Sequence, residues 1–392
     1  MNFENETAEE DVWDGKDADA FVAERVGTHP TYAHVVQILQ DSGKDTHLVR
    51  NFVSRVAYDT ALETTSKLDQ HMAAVLRDVT DSEHEYQVKI WLTGITLNED
   101  AVRVSDSLLF RRPTRADFQE KARAEDIQFA HAGFMGRVYF SCIGDCRVSA
   151  RQPVEFQRFV ERLITALRLF RLGSVSAARY DYRADSFSIF ADGRLVGPQR
   201  APRLEYTLSC EDVSELSRAL QVLTPVIPSI YDLPETKSHF LSTALDWYGQ
   251  SLLAGGPVEG TIAWAIACLE ALFLGDNPAT ELSYRLTHRV IALLRCFGWV
   301  PLETRKVLKT AYDVRSKYVH GAVSKRVSRE EMSALHRNVA ECARVSCLIW
   351  TQLLAARKRD ELLATLEDAL IDDTASLRLR EWCKGVDFAR KP

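Results

Sequence analysis

No apolar run in this chain approaches the roughly 20 residues that a helix needs to cross a bilayer, so no membrane-spanning helix is expected. The start lacks the marks of a secretory signal. Residues 1–19 are acidic (Glu4, Glu6, Glu9, Glu10, Asp11, Asp14, Asp17, Asp19), with no basic opening and no apolar stretch behind it. Cysteine is sparse, at eight in 392 residues. The close pairs Cys142/Cys146 and Cys342/Cys347 have neither the spacing nor the partner histidines of a zinc site. All eight read as reduced thiols of a cytoplasmic protein. Residues 85–227 contain no Gly-rich phosphate loop, no nucleophile elbow and no His-Glu metal pattern. Neither a metal nor a cofactor is expected.

What is present is an ordinary globular composition, 46% hydrophobic and 27% charged, in a chain long enough for two or three domains. The net charge of −6 excludes a protein that is basic throughout, but its distribution is uneven. Residues 281–360 carry 16 Lys/Arg against 7 Asp/Glu, whereas residues 1–20 carry eight acids and one lysine. A basic C-terminal half fits an anionic partner at one face, or a solvated helix surface.

Read in order, the pattern predicts an α+β, multidomain chain. Residues 1–19 form an acidic, loosely held tail. Residues 20–84 are helical: a short helix through Val35, Val36, Ile38 and Leu39 ends at Asp41-Ser42-Gly43, and a longer one runs from about 46 to 79. His47 and His71 fall here, far from any cluster that would bind metal. Residues 85–227 form a mixed sheet and helix domain. Strands are expected around 86–92, 95–97, 102–104, 108–110, 137–143, 180, 187–190 and 204–208, with a tight turn at Asp192-Gly193 and helices from Pro153 and from about Glu211. Pro225, Pro228 and Pro234 mark a boundary. Residues 236–392 are an all-α bundle with short loops. Its long helix from about Ser328 opens on Ser-Arg-Glu-Glu, a capping-box pattern.

The bundle holds the stretch of most interest, Arg315-Ser316-Lys317-Tyr318-Val319-His320-Gly321. Val307, Ala311, Val314 and Tyr318 recur at helical spacing, which puts Tyr318 on the apolar stripe, and Gly321 is a natural helix stop. Arg315 and His320 therefore share the last turns of one helix. Five residues rotate by roughly 500°, leaving the two side chains about 140° apart. Pairing two copies of the motif brings an arginine and a histidine together more easily than bending one helix end.

The segment 311–321, Ala-Tyr-Asp-Val-Arg-Ser-Lys-Tyr-Val-His-Gly, resembles the R-x4-6-H signature of HEPN domains, and most closely the Apea-like branch. Cys268-Leu269-Glu270-Ala271-Leu272-Phe273 is similar to that branch's Leu-Glu-x-Leu-Phe helix. Glu281 to Leu286, followed by Arg289, is similar to its next helix. The resemblance covers about 236–357. It implies a C-terminal HEPN helical bundle, a homodimer, RNA as substrate, and Arg315 and His320 as the catalytic pair.

The implied reaction suits those side chains. RNA brings its own nucleophile, the 2′-hydroxyl. A histidine titrates near neutral pH and can take or give a proton. An arginine fork stabilises the growing phosphate charge without losing its own. The expected products carry 2′,3′-cyclic phosphate and 5′-hydroxyl ends. Glu270 interrupts an apolar run, and a carboxylate there is costly to bury alone, so it is expected to pair with Arg289 or Arg315. Lys317 and Arg285 are candidate RNA-phosphate contacts or solvated surface charges. Ser316 stands where many active HEPN nucleases carry Asn, Asp or His, and matches the Apea-like branch. The resemblance further implies antiphage defence or a toxin-like effector of abortive infection, with the sheet domain receiving a phage-derived or cellular trigger. The alternative is a non-catalytic module that binds nucleic acid or protein, or dimerises, with Arg315 in a structural ion pair and His320 capping helix carbonyls.

Overall fold

The computed structural model describes residues 30–41, 46, 49–50, 52–53, 73, 75, 83–124, 140–150, 153–184, 192–195, 202–229, 240–274, 281–321 and 328–389. The acidic stretch 1–19, most of the long helix expected over 46–79 with His47 and His71, and the strand expected at 187–190 lie outside them. The chain is mixed α and β, a sheet region followed by a C-terminal helical region. Among the described residues no helix is long and apolar enough to cross a membrane.

The described strands are β1 (His84–Thr93), β2 (Ile95–Leu97), β3 (Ala101–Ser105), β4 (Leu108–Arg111), β5 (Cys142–Ala150), β6 (Ser176–Ala184), β7 (Asp192–Leu195) and β8 (Tyr206–Leu208). The main sheet has the order β3-β4-β5-β1-β6-β7, and β2 pairs with β8 in parallel. The pairs β3/β4 and β4/β5 are antiparallel, so the sheet system is mixed. The helices are α1 (Pro30–Asp41), α2 (Arg115–Ala124), α3 (Pro153–Phe170), α4 (Val213–Leu223), α5 (Phe240–Leu253), α6 (Val258–Phe273), α7 (Leu282–Leu294), α8 (Pro301–Val319), α9 (Arg329–Leu353), α10 (Arg359–Asp368) and α11 (Asp373–Cys383).

Two expectations about the sheet are corrected. Of the strand expected at 137–143, residues 137–139 lie outside the described residues, Phe140 and Ser141 are not strand, and β5 runs from Cys142 to Ala150, where the missing side chain of Gly144 leaves room for the Phe110 ring. Asp192-Gly193 is not a turn but the start of β7. The C-terminal helical piece expected at about 360–370 is α10, and α11 follows it as a further helix.

The chain divides into two compact units: Met1–Val88, Arg147–Pro153 and Asp181–Gly193 form one, and the remainder forms the other. In the first, Leu39 of α1 packs on Val49, Phe52 and Val75, and the Tyr86 and Tyr182 rings lie 6.3 Å apart. The second holds the bundle and the greater part of the sheet. There Trp91, Phe140, Ile143 and Ala178 make an apolar cluster closed by Phe118. Sheet-side elements are tied to the bundle by specific bonds: Tyr248 Oη donates to the Arg168 carbonyl (3.0 Å) and Ser174 Oγ to the Leu252 carbonyl (2.9 Å). Arg344 of α9 donates to the carbonyls of Leu169 and Phe170, which end α3. Those carbonyls have no partner within their own helix, so one buried guanidinium satisfies what α3 cannot.

α8, which carries the motif, starts on Pro301, where a missing N–H costs nothing. It buries Thr304, Leu308, Ala311 and Val314 against α6, α7 and α9. Its end is Gly321, at φ +67°.

Candidate active site

The site is built where the last turns of α8 cross α6. Glu270 lies near the end of α6, in the apolar run that packs α6 into the bundle. Arg315 comes from α8, and its Nη2 donates to Glu270 Oε2 at 3.1 Å. The Tyr312 ring, three residues earlier on the same helix, lies beside the guanidinium, with Cζ 5.7 Å from the ring centre. The Tyr312 hydroxyl interacts with the same carboxylate. Residues three apart on a helix are neighbours, so Tyr312 and Arg315 reach Glu270 together.

Burial pushes the Glu270 carboxyl above its ordinary range, and Arg315 and the Tyr312 hydroxyl pull it partly back. Burial and the Glu270 charge raise the Tyr312 phenol. The group is held by mutual need: a half-buried carboxylate requires a cation, and the cation is fixed in place by meeting it.

Arg315 is not used up by this contact. A guanidinium has five N–H donors, and only one of Arg315's bonds a described residue. Its side chain is 30% exposed. His320 follows at the same helix end. α8 stays regular through Val319, and His320 then leaves it at φ −89°, ψ 7°, its backbone N–H still bonded to the Ser316 carbonyl at 3.1 Å. The imidazole is exposed.

The remaining candidates sort differently. Arg289 does not reach Glu270. It is buried, bonded through Nε to Glu367 (2.6 Å) and through Nη1 to the Phe273 carbonyl. Arg285 stands 3.7 Å from the same Glu367. Lys317 is exposed and forms no ion pair with a described residue. Ser316 is half-buried beside Arg315. Tyr318 is not a core residue: it is 45% exposed, because α8 is ending and the ring tip rests over Gly260 of α6. A methyl added at Gly260 would come within 3.0 Å of the Tyr318 hydroxyl.

Sequence reasoning gave Tyr312 no role. The signal was its spacing of three from Arg315. Arg305, Lys306 and Lys309, also unassigned, are exposed on α8 and fall with Lys317 within about 120° of one another at 100° per residue, an arc that the exposed Asp313 shares. His320 projects into that same arc by helical phase. Among the described residues no group of three or more His, Cys, Asp or Glu is arranged to hold a metal ion.

Chemically, the arrangement offers an anchored but unsaturated guanidinium, an exposed imidazole on the same helix end, and a bordering cationic face. Comparison with family models, with curated proteins and with solved structures gave no match in any of the three.

Proposed function

We propose that the chain is a HEPN-type endoribonuclease of the Apea-like branch, acting as a homodimer without need of a metal. The observation that carries this reading is the state of Arg315. It is held by one carboxylate of α6, keeps most of its N–H groups for another ligand, and lies at the helix end that exposes His320. A purely structural arginine spends its donors on protein.

In this reading two motifs face one phosphodiester. One His320 takes the proton of the 2′-hydroxyl, whose oxygen attacks phosphorus. The 5′ oxygen leaves and receives a proton from the second His320. Arg315 binds the non-bridging oxygens as their charge grows. Glu270 and Tyr312 keep the guanidinium aimed. The products are a 2′,3′-cyclic phosphate and a 5′-hydroxyl. An RNA-cleaving chain of this kind fits a toxin or antiphage effector, with the sheet region as the part that receives the trigger.

The exposed basic side of α8 favours a second reading, a module that binds RNA without cutting it. Incubating the full chain with end-labelled single-stranded RNA in EDTA separates the two. Cleavage to cyclic-phosphate ends, abolished by 2′-deoxy substitution at the cut position, supports the nuclease. Retention of intact RNA supports the binding module and removes the enzyme.

A further inference from the structure

A second site lies away from the motif, in the same compact unit, between α3 and α5. A cavity of about 420 Å³ opens there, within the roughly 300–1,000 Å³ span of small-molecule pockets. Its walls are apolar at Val160, Ile164 and Leu245 and hydrogen-bonding at Gln157, Thr165 and Gln250.

Arg168 of α3 lines this space. Its side chain is half-buried, and burial pulls its pKa down to about 10. Its only hydrogen bond to a described residue is from Nε to the Val175 carbonyl, at 2.7 Å. No carboxylate of a described residue pairs with it; Glu161, which also lines the cavity, accepts from Ser229 Oγ. Asp246, exposed at the rim, acts on it only through space. Arginines drawn out of water are ordinarily paired, as the more deeply buried Arg289 and Arg344 are here. Arg168 bonds no described residue through either Nη group.

Two more features mark the space as built. Gly249 sits inside α5, where glycine weakens a helix. A methyl added there would come within 3.0 Å of Arg168 Nη1, so the missing side chain is what admits the guanidinium. Ser242, two helical turns earlier on α5, lines the same cavity with a buried Oγ that has no hydrogen-bond partner among the described residues. A cation and a hydroxyl, each with unused hydrogen-bonding capacity toward the described residues, therefore line one cavity.

We infer that this cavity is a binding site for a small organic anion, a carboxylate or phosphate attached to a compact, partly apolar body. Arg168 takes the anionic group, Ser242 bonds it or the atom beside it, and the Val160, Ile164 and Leu245 wall covers the body. Asp246 and Gln250 at the mouth favour a ligand with an N–H donor at its outer end. The inference is independent of RNA cleavage.

The test uses the full chain and three probes: benzoate, adenosine 5′-monophosphate and inorganic phosphate. Affinity is read by calorimetry and by the shift in Tm. Binding of benzoate or the nucleotide in preference to bare phosphate is expected, because only they fill the apolar part. Arg168→Lys, which keeps the charge but loses the fork, should bind roughly tenfold to a hundredfold more weakly. Gly249→Ala should weaken binding similarly by displacing the guanidinium, and it keeps the test open if changes at Arg168 prevent folding. No binding by any probe overturns the inference, as does unchanged binding in both variants.

Discussion

Two arginine–carboxylate pairs in one compact unit show how differently the same chemistry is used. Arg344 pairs with Glu341 on α9 and spends its other donors on the end of α3; its side chain is 6% exposed. Arg315 pairs with Glu270, spends one donor, and is 30% exposed. The first arginine is a bolt whose every bond lies inside the protein. The second is held firmly enough to be oriented and loosely enough to take a ligand. Two histidines repeat the contrast. His336 is buried with Nε2 against the Ser251 carbonyl at 2.8 Å, while His320 is exposed at the end of α8.

The largest effect expected from breaking this comparison is on stability. Arg344→Ala strands the Glu341 carboxylate and two helix-end carbonyls, and should cost about 3–5 kcal/mol in denaturant unfolding. A loss below about 1 kcal/mol would mean that the buried pair is no bolt.

Glu270→Gln sharpens the other side. Burial makes the ionised Glu270 carboxyl costlier in the fold than in the unfolded chain, so the stability it contributes is fully present at low pH and is lost as pH rises through its raised folded pKa. At pH 7 the Gln variant should therefore melt no lower than the parent. Its RNA cleavage should fall about tenfold, because Arg315 is less well aimed. A lowered Tm with unchanged cleavage would reverse the assignment.

Burial lowers the His336 imidazole below its ordinary value of 6.5. As pH falls through that value the unfolded chain takes the proton first, so stability declines on acidification. His336→Gln should flatten the Tm profile below about pH 6.5. The smallest effect belongs to the surface: Lys317→Ala should weaken RNA binding about twofold and lower its salt slope by about 1.

Legibility from sequence followed local chemistry. The ends of α8 and α9 were readable because Gly321 and the Ser328/Glu331 capping box act through their immediate neighbours; both halves of that box form, at 3.0 and 3.1 Å. The sheet was less readable. Cys142, Ile143 and Gly144 are buried in succession, so β5 shows no alternation to detect. At the site, the need of Glu270 for a cation was legible from its apolar run. The choice between Arg289 and Arg315 was not, because it depends on how α7 and α8 rotate against α6. The cavity at Arg168 was invisible for a related reason: it requires Gly249, 81 positions away, to face that arginine across two helices.

In the proposed reading Arg315 and His320 act on RNA more than they hold the fold together. The direct measurement is RNA cleavage and Tm, side by side, for Arg315→Ala and His320→Ala. Each variant should lose about a hundredfold or more in cleavage rate with its oligomeric state unchanged; His320→Ala should keep the parent's melting temperature, while Arg315→Ala should melt only modestly lower, because it leaves the half-buried Glu270 without its cation. Full cleavage in either variant, or losses that simply follow unfolding, would contradict it.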